Sequence, residues 1–136
     1  MSKHVVTTAA APAAIGPYSQ AVGTNGLLFV SGQLPVSPDS GEIAGNSVRE
    51  QTEQCIANLE NILKAGGCCL ADVVKTSVFM TDLSCFAEMN KVYATHFLAD
   101  MPARVCVEVS RLPRDAKVEI EAIAVRTESR SGTGGR

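Results

Sequence analysis

The chain has 136 residues, 46% of them apolar and 19% charged, and a formal charge of −2. At that length one domain buries roughly two thirds of its unfolded surface, so an ordinary apolar core is expected and the composition argues against disorder. The near-neutral balance leaves no electrostatic footprint for nucleic acid or an anionic membrane, since phosphate binding rests on clustered Lys and Arg.

The opening "MSKHVVTTAAAPAAIGPYSQ" lacks the basic start and continuous apolar run of a secretory signal, which points to a cytoplasmic protein. Within it "HVVTT" reads as a short strand and the Ala/Pro-rich "AAAPAAIGPYSQA" as a loop. The turn signal Asn25-Gly26 then leads into a strand, "GLLFVSGQLPV", followed by the turn-rich loop "SPDSGEIAG". Apolar runs such as "GLLFV" are far too short to span a bilayer. Ser47 followed by Glu50 is a capping-box signature, and Val48, Cys55, Ile56, Leu59, Ile62 and Leu63 recur at helical spacing after it. Gly66-Gly67 closes that helix, because glycine tolerates the left-handed conformation beyond a helix end.

"DVVKTSVFMT" is a β-branched strand. A second helix carries Phe86, Met89, Tyr93 and Phe97 on one face. Two last strands, near Arg104–Val109 and Lys117–Arg126, are joined by the turn "SRLPRDA". The final "TESRSGTGGR" has no apolar periodicity and reads as a disordered tail over 127–136, after a single domain over 1–126. The pattern is an α+β domain in which each helix serves as a crossover between strands and both helices cover one sheet face. Apolar positions on the other face suggest association with further copies of the chain.

The sequence contains five cysteines and two histidines. Cys55, Cys68, Cys69, Cys85 and Cys106 show no disulfide framework, and adjacent Cys68 and Cys69 rarely meet bridging geometry. Neither His4 nor His96 makes a ligand pair by spacing, so no metal is expected. The thiols read as reduced, small apolar side chains.

The segments "GPYSQAV", "LFVSGQLPV", "QTEQCIANLENILKAGG", "DVVKTSVFMTDL", "MNKVYATHF" and "PARVCVEVSRLPRDAKVEIEAIAV" stand in the order and spacing of the reactive intermediate deaminase A family, which the chain resembles from Thr7 to Arg126. The resemblance implies a chorismate-mutase-like homotrimer whose sheets form an inner barrel with helices outward. Its active sites would lie in clefts between subunits. The implied activity is hydrolysis of 2-imino acids or their enamine tautomers, such as 2-iminobutanoate and 2-iminopropanoate, to 2-oxo acids and ammonia. These reactive intermediates are by-products of pyridoxal-phosphate enzymes acting on serine or threonine. Neither cofactor nor metal is implied, because an imine carbon is already electrophilic and the catalyst need only fix the carboxylate, orient water and manage protons.

Carried over by position, Arg104 matches the arginine that holds the substrate carboxylate, a task suited to the parallel donors of a guanidinium. Taken alone it would read as a surface strand arginine. Alternation puts Glu119 and Glu121 on one face without choosing between them, and the resemblance selects Glu119, as the base that deprotonates the attacking water. Tyr18, Ser31 and Asn90 match polar catalytic-pocket residues. By themselves they read equally as a loop anchor, a strand-end polar residue and an exposed helix residue. Gly32 and Cys106 match positions that lend backbone groups to the ligand. No histidine is placed to activate Cys106, which is therefore assigned to the pocket wall.

Arg104 and Glu119 are accordingly expected to face one small substrate from neighbouring strands. Met101 departs from the aromatic common before "PAR", and Val105 from the small residue many members carry. Other functions to weigh are an endoribonuclease or translation inhibitor, which wants a basic groove and stacking aromatics, and a non-catalytic oxo-acid sensor or holdase-type chaperone.

Overall fold

The computed structural model describes residues 2–126, so the tail expected over 127–136 lies outside the described residues. Six strands form one sheet: β1 (His4–Val6), β2 (Ala21–Thr24), β3 (Leu27–Gln33), β4 (Val73–Met80), β5 (Ala103–Glu108) and β6 (Val118–Val125). The two helices are α1 (Val48–Ala65) and α2 (Phe86–His96). The sheet order is β1-β2-β3-β6-β4-β5. All pairings are antiparallel except β4 with β5.

Strand β2 is not anticipated by the sequence, in which the expected loop runs through Ala21 and no element is assigned over 22–24. Its "AVGT" is short and interrupted by glycine, too little to show alternation. The turn signal beside it is sound, for Asn25 and Gly26 both take positive φ (49° and 77°), which suits the twist of a tight hairpin. The last two strands also need correcting. β5 and β6 are consecutive in the chain, yet β4 lies between them.

Helix α1 begins where its capping box predicts. The Ser47 hydroxyl accepts from the Glu50 amide at 3.0 Å, and the Glu50 carboxylate accepts from the Ser47 amide at 3.2 Å. Cys55, Ile56, Leu59, Ile62 and Leu63 are fully buried. Burying a side chain of the Leu or Ile class contributes roughly 1.5–3 kcal/mol as an upper estimate. Gly67, at φ 85°, supplies the left-handed residue that ends the helix, while the Cys68 amide returns to the Leu63 carbonyl at 2.8 Å.

Both crossovers pass over the same sheet face, α2 between β4 and β5 and α1 from β3 to β4 across β6. Leu28, Val78, Met80, Ile120 and Ala124 pack beneath them. Among the described residues no helix or second sheet covers the opposite face: Phe29, Val105 and Val107 remain 41%, 43% and 39% exposed there. A bulge interrupts the β3–β6 ladder. Val30 pairs with Ala122 and Gln33 with Ile120, so Ser31 and Gly32 together stand opposite Glu121.

Candidate active site

On β5, Arg104 pairs in register with Thr76 of β4, and Cys106 with Val78. Thr76 and Val78 are wholly buried beneath the helices, so Arg104 and Cys106 project to the helix-bearing face as well. There the Arg104 Nη1 donates to Asn90 Oδ1 at 2.8 Å. The guanidinium lies 4.8 Å from the Tyr93 ring centre and 5.6 Å from that of Phe86. Burial pushes the Cys106 thiol up, against the opposing effect of Arg104. A thiol so held is a poor nucleophile.

A second group lies on the open face. Glu119, Tyr18, Ser31 and Gly32 line one cleft of about 710 Å³, with Glu121, Gln20 and Ile15 beside them. Buried Val118, Ile120, Ala122 and Ala124 alternate with Glu119 and Glu121, which puts both acids over the cleft. Burial raises the Glu119 carboxyl above the usual carboxylate range, and the neighbouring charge of Glu121 adds to the shift. A Cβ at Gly32 would stand 2.5 Å from Glu119 Oε2, so only glycine leaves the carboxylate its place. The Ser31 hydroxyl donates to the Ser19 carbonyl at 2.6 Å, and the Ser31 amide to the Gln20 carbonyl at 2.9 Å. These bonds tie down the segment carrying Tyr18, whose ring is half exposed.

The candidate residues thus fall into two groups, Arg104, Asn90 and Cys106 in one and Tyr18, Ser31, Gly32 and Glu119 in the other. The expectation that Arg104 and Glu119 face one substrate from neighbouring strands does not hold within a chain. Arg104 is level with Thr76 and Glu119 with Phe79 on the intervening β4. Two strand spacings across and three residues along give a Cα separation of roughly 14 Å, with the side chains on opposite faces. No small molecule touches both within one copy.

Phe86, Tyr93 and Thr76 around Arg104 escape the sequence reading, because their spacing is that of an ordinary core face. Gln20 escapes it too. Its side chain accepts from the Thr8 amide at 2.7 Å and donates to the carbonyls of Thr8 at 3.1 Å and Pro12 at 2.8 Å, fixing the loop along the cleft edge. A single glutamine in a loop-like stretch gives no signal of that kind. Among the described residues no group of three or more His, Cys, Asp or Glu is arranged to hold a metal ion. Nor is any helix among them long and apolar enough to cross a membrane.

A family model described as Endoribonuclease L-PSP matches residues 8–126. A RutC family protein of Pyrococcus abyssi is 49% identical over 126 residues, covering 93% of this chain and 99% of its own. The 2-iminobutanoate/2-iminopropanoate deaminase of Mus musculus is 46% identical over 124 residues, 91% of this chain and 92% of its own. Among solved structures, E. coli TdcF with bound serine superposes with a TM-score of 0.88 at 46% identity, covering 91% of this chain and 99% of that one.

Proposed function

The chain belongs to the endoribonuclease L-PSP family, that of the reactive intermediate deaminases A, and from that premise we propose that it hydrolyses small 2-imino acids, 2-iminobutanoate and 2-iminopropanoate among them, to 2-oxo acids and ammonia. The observation that carries this reading is the contrast between a held guanidinium and a half-buried carboxyl of raised pKa, the two groups such a hydrolysis needs. Serine bound to TdcF is a small amino acid of comparable size with the same carboxylate to anchor.

The site is completed between copies. The Arg104 group of one protomer faces the Glu119 cleft of the next, and three copies close the ring with their open sheet faces inward. The partly exposed Phe29, Val105 and Val107 are then covered. The remaining donors of Arg104 take the carboxylate fork. Glu119, whose proton affinity is raised, removes a proton from water as the water oxygen bonds to the imine carbon. The carbon–nitrogen π pair moves to nitrogen, which takes a proton from the Tyr18 hydroxyl, and the remaining carbon–nitrogen bond breaks once Glu119 passes the water proton to that nitrogen. The former water oxygen returns its remaining proton to the Tyr18 oxygen as it becomes the carbonyl, and ammonia departs with both catalytic groups restored. Asn90 serves this step by holding Arg104, and Ser31 by holding the Tyr18 segment.

The cleft opposes an RNA phosphate chain. Among the described residues of one chain, Glu119 and Glu121 line it with Arg114 as the one cation, whereas a phosphate backbone asks for clustered positive charge. The test generates 2-iminobutanoate with an amino-acid oxidase in the presence of semicarbazide and follows the semicarbazone. The wild type is expected to suppress it and Arg104→Ala to restore it. Equal semicarbazone with and without the wild-type protein, on this substrate and on branched and aromatic analogues, overturns the reading.

A further inference from the structure

An arginine on an edge strand samples many rotamers, and those surrendered on binding cost affinity unless the protein has already taken hold of the side chain. Arg104 is held by Asn90 at 2.8 Å and by the faces of Tyr93 and Phe86. Of these supports Tyr93 is the best fixed. Its hydroxyl shares a hydrogen bond of 2.8 Å with the Thr76 hydroxyl in a buried setting. Its ring stacks on Phe97 with centroids 4.4 Å apart. Burial raises the Tyr93 hydroxyl's pKa, so it remains neutral.

Thr76 is also the β4 residue in register with Arg104, so the same strand pair sets the arginine and the post on which its support stands. A tyrosine that only filled the core would need no aimed hydroxyl and no cation over its face. We propose that Tyr93, pinned by Thr76, is a positioning residue that orients the Arg104 guanidinium toward the substrate carboxylate. This rests on the deaminase reading for the identity of the carboxylate, though not for the orientation itself. Carboxylate binding is common to the ground and transition states, so the effect belongs in KM rather than kcat.

Two double variants separate positioning from packing. Tyr93→Leu with Thr76→Val removes the ring and leaves no buried hydroxyl unpaired, whereas Tyr93→Phe with Thr76→Val keeps the ring. The first is expected to raise KM for 2-iminobutanoate about tenfold with kcat within about twofold, and the second to stay within about threefold of wild type in KM. Independently of any substrate, the Arg104 Nε–Hε proton in a ¹H–¹⁵N spectrum should carry an aromatic ring-current shift in the wild type and in the second variant and lose it in the first. Should leucine at 93 prevent folding, Tyr93→Met with Thr76→Val gives the same readout.

A loss that falls in kcat rather than KM, or an Nε–Hε shift indifferent to the ring, overturns the proposal. If the wild type hydrolyses no imine, the deaminase reading falls while the resonance still decides the positioning role.

Discussion

The guanidinium of Arg104 meets an amide oxygen at 2.8 Å and an aromatic ring at 4.8 Å, whereas the Glu119 carboxyl meets no hydrogen-bond donor among the described residues and stands against the bare backbone of Gly32. The difference follows from what each group must do. A recognising cation gains from being fixed beforehand, because its partner has a set shape. A proton acceptor gains from the reverse, since donors aimed at a carboxylate stabilise its charge and make it a weaker base. Glu119 is kept half-buried beside Glu121, and its proton affinity rises accordingly. The sheet carries these two provisions on opposite faces, so neither interferes with the other inside one protomer.

The comparison breaks most sharply at Glu119. Glu119→Gln keeps shape and removes the base, and it should lower kcat by about a thousandfold under saturating substrate. Unchanged turnover would transfer the role to another group, with Glu121 the first candidate. Next in size is complementation. Arg104→Ala and Glu119→Gln chains, unfolded together and refolded at equal ratio, should regain about a quarter of wild-type activity, the fraction of sites that draw both intact halves from different copies. A mixture as inactive as its components would mean that the halves do not meet between copies. Sedimentation of the wild type should correspondingly give about three times the chain mass of 14.3 kDa.

Gly32→Ala should cost about tenfold in kcat/KM, because the new methyl displaces the carboxylate from its position. Activity within twofold of wild type would show that Glu119 has room to move. The smallest effect is on stability. The folded-state pKa of Glu119 is raised, so the folded chain binds this proton more tightly than the unfolded one, and stability falls as pH rises from the ordinary carboxyl value through the raised one. Glu119→Gln should therefore melt slightly higher than wild type at neutral pH, and the gap should close below about pH 4. A gap that widens in acid would reverse the sign of the shift.

Much of this was legible beforehand, and for identifiable reasons. The α1 boundaries follow from Ser47, Glu50 and Gly67, local signals that need no knowledge of the rest of the fold. The pairing of Glu119 with Glu121 on one face follows from the two-residue period of a strand. Which face Arg104 takes relative to Glu119 does not follow. That is settled by β4 entering between their strands, a long-range choice with no trace in local spacing. The stripe Phe86, Met89, Tyr93 and Phe97 shows the same limit. Its period declares a buried face and is right for Met89, Tyr93 and Phe97, but it is silent on the arginine that comes to rest on two of its rings.

The bulge in β3 bears on which sequence changes the strand tolerates. Ser31 and Gly32 share one place in the ladder, so deleting either would leave Gln33 opposite Ile120 and make the hydrogen bonding to β6 continuous. Such a chain would have a tidier sheet and a poorer cleft, missing either the tie to Ser19 or the gap that admits the Glu119 carboxylate. Selection for thermal stability alone would favour the repair, so a library screened only for folding should accumulate one-residue deletions at this spot and lose the site without any sign of damage.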